Sequence, residues 1–245
     1  MAGPPHAKSG FQKWQDTIRR ARCDTKWAEY DADIRRTVGE FNTHLKPSSG
    51  YVTLDWRLIK AMAWTETGAA AGLWKSNPMQ IGMFNDPGLD QLLSGAPASR
   101  LILPAWKQPL TRKDVRTTPL YNIRAGVGYL LLKLARFEVK DVLDKDNTIH
   151  QLTVKAGDSF DKLAHAHGST VAVMQALNPG VRVLHPGQVL KYQKASRQTV
   201  ITGWRAATTA NVAMYYNGGG DAAYAKKLDF ALSVIQQGNV PPYRP

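Results

Sequence analysis

Residues 54–82 read LDWRLIKAMAWTETGAAAGLWKSNPMQIG, a helix-forming run that breaks at a glycine and continues as a Gly/Ala-rich turn. Thr53 is placed to cap the helix, and Gly68 to end it in a left-handed conformation. Ile59, Met62 and Ala63 lie seven, four and three residues before Glu66, so the carboxylate completes their apolar stripe. In the last helical turn the macrodipole disfavours an anion, and partial burial acts the same way. Glu66 is therefore predicted to keep its proton to a higher pH than an ordinary carboxylate, as a general acid working near neutrality must.

The run Asn77-Pro78-Met79-Gln80-Ile81-Gly82 follows. Together, Glu66-Thr67-Gly68 and Pro78-Met79-Gln80-Ile81 resemble the lysozyme-like lytic transglycosylases, in which a Glu-Ser helix end precedes a Gly-Leu-Met-Gln-Ile segment that lines the glycan cleft. Thr67 stands where Ser is usual, Pro78 replaces Leu, and the interval between the two motifs is short. Farther on, NIRAGVGYL at 122–130 resembles the packing helix of that family. Tyr215-Tyr216-Asn217-Gly218-Gly219-Gly220 resembles its Ala-Tyr-Asn-Ala-Gly motif, with Tyr216 and Asn217 in register. The resemblance implies Glu66 as the catalytic acid and Gln80 as a group that bonds the sugar or orients water. Met79 and Thr67 would line the substrate site, Tyr216 would stack on a sugar or orient Glu66, and Asn217 would fix its loop. No cofactor and no metal are implied.

Residues 150–194 form a unit of their own. Leu152–Val154 reads as a strand, Gly157-Asp158 as a turn, and Ser159 as the cap of a first helix. A second helix from Thr170 stops at Asn178-Pro179-Gly180, and Pro186-Gly187 turns into a closing strand at 189–192. This βααβ pattern resembles a LysM module. The resemblance implies a shallow groove for N-acetylglucosamine-containing glycans, formed by Gly157, Asp158, Ser159 and Phe160 on one loop and Asn178 and Pro179 on the other. His165 and His167 are two apart on a helix and face different ways, which argues against a shared metal.

The remaining segments read as helical scaffold. Phe11, Trp14, Ile18 and Ala21 make one stripe; Trp27, Tyr30, Ile34, Val38, Phe41 and Leu45 make a second, started by Asp24 and ended at 46–50. Residues 86–119 are long for a loop and contain either cleft or short helices. Ile123, Val127, Leu130, Leu131, Leu134 and Phe137 predict a helix over 122–137, in which Gly126 allows close approach. Residues 138–147 and 195–199 read as linkers. A helix over 203–216 follows, and then a last one capped by Asp221 that carries Tyr224, Leu228, Ala231, Leu232 and Ile235, with Gly238 past its end. The expected fold is mainly α: a discontinuous lysozyme-like domain over 1–140 and 200–245, with the module at 150–194 inserted.

The 245-residue chain carries a formal charge of +13, which favours a polyanionic partner such as the cell wall. No run of five or more basic residues points to nucleic acid. The single cysteine, Cys23, excludes an internal disulfide and is expected to pack between helices. No Sec-type signal peptide and no transmembrane run are visible, so the chain reads as made in the cytoplasm. A dedicated secretion system or phage lysis would carry it to the wall in the periplasm.

Cleaving the β-1,4 bond between N-acetylmuramic acid and N-acetylglucosamine needs one proton donor and support for an oxocarbenium-like centre. No carboxylate is obviously paired with Glu66; Asp86 and Asp90 are the nearest downstream. That favours a transglycosylase outcome, with Glu66 as acid and then base and a 1,6-anhydro product, over muramidase hydrolysis of the same bond. A non-catalytic wall-binding protein is the third reading. Delivery as a phage lysin or an antibacterial toxin would bring a secretion component or a cognate inhibitor protein as partner.

Overall fold

A computed structural model describes residues 7–84 and 86–237. The chain divides into two compact units, one formed by 1–136 with 201–245 and the other by 137–200.

The first unit is helical. α1 (Gly10–Ala21) opens with a reciprocal cap: Ser9 accepts from Gln12 N while the Gln12 side chain returns to Ser9 N. α2 (Asp31–Leu45) follows a short 3-10 turn (Thr25–Ala28), which Asp24 caps. Asp24 thus starts that turn, and the stripe from Trp27 to Leu45 spans two elements rather than one helix. Cys23 is exposed in the turn after α1 rather than buried between helices.

α3 (Trp56–Glu66) is apolar on nearly every side, with Leu58, Ile59, Ala61, Met62, Ala63 and Trp64 buried. Its cap is Asp55, which accepts from Arg57 N; Thr53 lies outside the helix. The one buried charge on it, Lys60, meets Asp31 of α2 at 2.7 Å. The helix stops as expected at Gly68, whose φ is +71° and whose N–H reaches back to Ala63 O. A side chain there would place its Cβ 2.8 Å from the Trp27 ring.

Residues 86–119 contain three short helices, α4 (Pro87–Leu92), α5 (Pro97–Ile102) and α6 (Arg112–Thr117). Trp106 anchors this stretch by donating to Glu40, which also takes a 2.7 Å ion pair from Arg124. Behind them α7 (Pro119–Leu134) runs through the core with Ile123, Val127, Leu130 and Leu131 buried. A Cβ on Gly126 would come within 2.8 Å of Met79 Cβ, so the absent side chain makes room for the motif loop. Gly126→Ala is expected to lower the unfolding free energy by about 1–3 kcal/mol through overpacking, measured by denaturant titration.

The predicted helix over 122–137 ends early, because Ala135 turns extended and opens β1 (Ala135–Leu143). β1 pairs with β4 (Ala195–Trp204). The two run in opposite senses: Arg205 N donates to Leu134 O at one end, and Asp144 N to Lys194 O at the other. The predicted linker at 195–199 is therefore strand, and so is the one at 138–147 as far as Leu143. Their polar composition concealed period-2 placement of Phe137, Val139 and Leu143 and a β-branched run at 199–202. The same pairing carries Gly203 and Trp204, so the helix predicted over 203–216 shortens to α10 (Thr209–Tyr215), capped by Thr208. The last helix is α11 (Tyr224–Gln237), which packs against α3. Asp221 accepts from Ala223 N just ahead of it, and Gly238 lies outside the described residues.

In the second unit, β2 (His150–Thr153) pairs antiparallel with β3 (Val189–Tyr192), and His150 faces Tyr192. α8 (Phe160–Ala166), capped by Ser159, and α9 (Val171–Leu177), capped by Thr170, close over a small core of Val154, Leu163, Ala164, Met174 and Leu190. Among the described residues no helix is long and apolar enough to cross a membrane.

Candidate active site and glycan-binding module

The end of α3 delivers Glu66 to a cavity of about 190 Å³, lined also by Met79, Gln80, Asp86, Tyr129, Tyr216 and Asn217. Four residues singled out beside Glu66 in the sequence thus meet around it: Met79, Gln80, Tyr216 and Asn217.

Asn122 on α7 sets the loop that carries the motif. It is fully buried; its Oδ1 accepts from Met79 N at 2.8 Å, and its amide N–H groups are shared among Asn77 Oδ1, Ile81 O and Val115 O. Gln80 takes φ +50°, the one described non-glycine residue in the left-handed region. Its side-chain amide donates to the backbone carbonyl of Glu66, which ties the loop to the end of α3. Thr67 spends its hydroxyl on Asn77 O at 3.1 Å and joins the same loop to the helix end rather than lining the cavity.

Tyr224 of α11 donates to Glu66 Oε1 at 2.5 Å. Burial pushes the Glu66 carboxyl up to about 7; the bond from Tyr224 and the Lys227 ammonium pull it down, while Asp221 pushes it further up. Lys227 and Asp221 are themselves paired at 2.6 Å. Tyr216 does not hold Glu66. Its hydroxyl donates to Met79 O at 3.0 Å, and its ring meets Tyr129 edge-on at 5.5 Å. Burial, with Glu66 next in weight, raises its pKa well above the usual phenol value. Asn217 accepts from Asp221 N at 3.0 Å and so closes the turn between α10 and α11.

Asp86 lines the cavity, but both its oxygens take backbone N–H groups, from Gly82 at 2.6 Å and Gly88 at 2.7 Å. Asp90 points its charge at Arg112, 2.7 Å away, and is absent from the lining. Trp64 and Trp74 are 4% and 3% exposed, so neither offers a face to a sugar. Sequence reading placed Tyr224 only in an apolar stripe. The available signal was its hydroxyl, because a buried tyrosine needs an acceptor.

On the second unit, Gly157 is exposed with φ +83°, and Pro179 is exposed as well. The polar side chains of these loops serve the fold: Asp158 accepts from Lys155 N, Ser159 caps α8, and Asn178 bridges α9 to β3 through Met174 O and both backbone groups of Lys191. Phe160 packs onto the small core. What these loops leave for a ligand is mainly backbone.

The second unit is thus a two-stranded sheet closed by two short helices. Residues 152–192 match the family described as LysM domain, which supports a peptidoglycan-binding module there. No curated protein and no solved structure matches the chain.

Proposed function

We propose that the chain cleaves peptidoglycan glycan strands between N-acetylmuramic acid and N-acetylglucosamine, as a lytic transglycosylase of lysozyme-like type. The observation that carries this reading is Glu66, a carboxyl raised to about 7 at the wall of a cavity shared with Gln80, Tyr216 and Asn217. Near neutral pH a comparable fraction of molecules holds the proton and lacks it, which suits a group that first donates and then accepts. Glu66 protonates the glycosidic oxygen as the bond breaks. Its carboxylate then takes the proton from the muramic acid C6 hydroxyl, whose oxygen closes the 1,6-anhydro ring while the substrate acetamido group assists. The wall-binding module raises the local concentration of glycan at the cleft, and the charge of +13 draws the chain to an anionic wall.

Mass spectrometry of a digest of purified peptidoglycan tests the reaction: muropeptides lighter by one water than the reducing form are expected. Reducing ends would instead establish hydrolysis. That second reading draws on Asp86, a carboxylate in the same cavity that retains lone pairs for a water. An intact wall after prolonged digestion would leave a binding protein only. Entry into the periplasm through a dedicated secretion system or phage lysis, with a cognate inhibitor to protect the producer, belongs to the same proposal.

Tyr224→Phe removes a bond that favours the ionised carboxyl. The activity of this variant is expected to drop about tenfold, and the midpoint of its alkaline decline to move up by about one pH unit. A lower rate with an unmoved midpoint would make Tyr224 a packing residue only.

A further inference from the structure

The second unit holds a groove of about 750 Å³ that belongs to neither of its predicted glycan loops. It runs along α8 to the α8–α9 turn and is bounded on its other side by β1 and the start of β4. Ala195 N donates to Gly168 O at 3.0 Å, so strand and turn meet there without a side chain between them. The volume lies in the range that holds a small peptide or drug-sized ligand.

Four titratable side chains line it: Asp141 from β1, Asp161 and His165 from α8, and Arg197 from β4. None of the four takes part in an ion pair among the described residues. In a chain with thirteen more basic than acidic side chains, an acid finds a partner easily, yet two acids here have none. Ser169 Oγ, in the same wall, is buried and has no hydrogen-bond partner. Unpaired charges of both signs beside an orphaned hydroxyl complement a ligand that itself carries ammonium and carboxylate groups.

We propose that this groove takes the zwitterionic peptide stem of peptidoglycan, with the ammonium at Asp141 and Asp161 and a carboxylate at Arg197. The proposal rests on the reading of 152–192 as a wall-binding module. The reach is compatible: the seven residues of α8 span about 10 Å, the length of roughly three extended peptide residues. A glycan on the loops at the Ser159 end of α8 can therefore lay its stem along the helix. The module then reads peptide as well as sugar.

The test uses the full chain carrying Glu66→Gln, so that ligands are not consumed, and calorimetry with three probes. These are the N-acetylglucosamine tetramer, a disaccharide tetrapeptide with diaminopimelate at its third position, and that muropeptide with its free amine acetylated. The muropeptide is expected to bind about tenfold tighter than the acetylated form. Asp141→Asn with Asp161→Asn should erase most of that gain, Arg197→Gln should weaken both muropeptide forms alike, and neither change should alter tetramer affinity. Equal affinity for the free and acetylated muropeptides overturns the proposal, as does an equal loss for all three probes in the variants. Amine-dependent binding of the muropeptide without any binding of the tetramer keeps the groove and removes the glycan loops.

Discussion

Glu66→Gln is expected to cut turnover of purified peptidoglycan by about 10²–10⁴-fold while making the protein more stable at neutral and alkaline pH. The two effects share one origin. Burial pushes the Glu66 carboxyl up to about 7 in the fold from an ordinary 4.5, so the folded state binds the proton more tightly than the unfolded chain. Below pH 4.5 the group is protonated in both states and contributes nothing. Between 4.5 and 7 the unfolded chain releases its proton while the folded one retains it, and stability falls as pH rises. Above 7 the full cost of a buried carboxylate is in place, roughly 3 kcal/mol. The glutamine side chain accepts the Tyr224 hydroxyl bond and carries no charge, so denaturant titrations of the variant should lack this decline. A variant that clears cell walls as fast as the parent removes Glu66 from the mechanism. A variant with the parent's pH dependence of stability removes its burial from the explanation.

Asn122→Ala should be the most damaging substitution in the core of the first unit. It leaves Met79 N–H without an acceptor and takes a donor from Ile81 O and Val115 O. Each orphaned buried group costs about 1–3 kcal/mol, so a loss of about 4 kcal/mol is expected in denaturant titration. Activity should fall even in the folded fraction, because the same bonds set Met79 and Gln80 beside the end of α3. Asn122→Asp tests the donor side alone. A carboxylate still accepts from Met79 N but faces two carbonyls and the Asn77 side-chain oxygen, so its stability should recover only at low pH, where the added acid is protonated.

Much of the site could be read from local rules. Glu66 at the end of an apolar helix, Gly68 with positive φ and Gly126 under Met79 each follow from a short pattern with a steric or dipolar cause. The small βααβ unit was legible for the same reason, since its caps at Ser159 and Thr170 and its turns are local. What escaped depends on contacts distant in sequence. β1 and β4 look like linkers because β1 is largely exposed and β4 opens on a polar run, and only their mutual pairing makes them regular. Asn122 gives no sign of its four-way role until residues 77, 79, 81 and 115 are folded around it. Of the two roles expected of Tyr216, stacking on a sugar or orienting Glu66, the bond to the carboxylate is made by Tyr224 instead, because two hydroxyls compete and only packing decides which reaches it.

The two tyrosine hydroxyls that bond the Met79 carbonyl and the acid itself both come from residues beyond 215. A ribosome therefore makes Glu66 early and its phenolic partner more than 150 residues later. Until then the chain carries an acid with nothing to hold it. If the proposed reaction is right, chains ended before residue 215 lack both bonds and are expected to be weaker catalysts than the full chain, so activity would arrive late in synthesis.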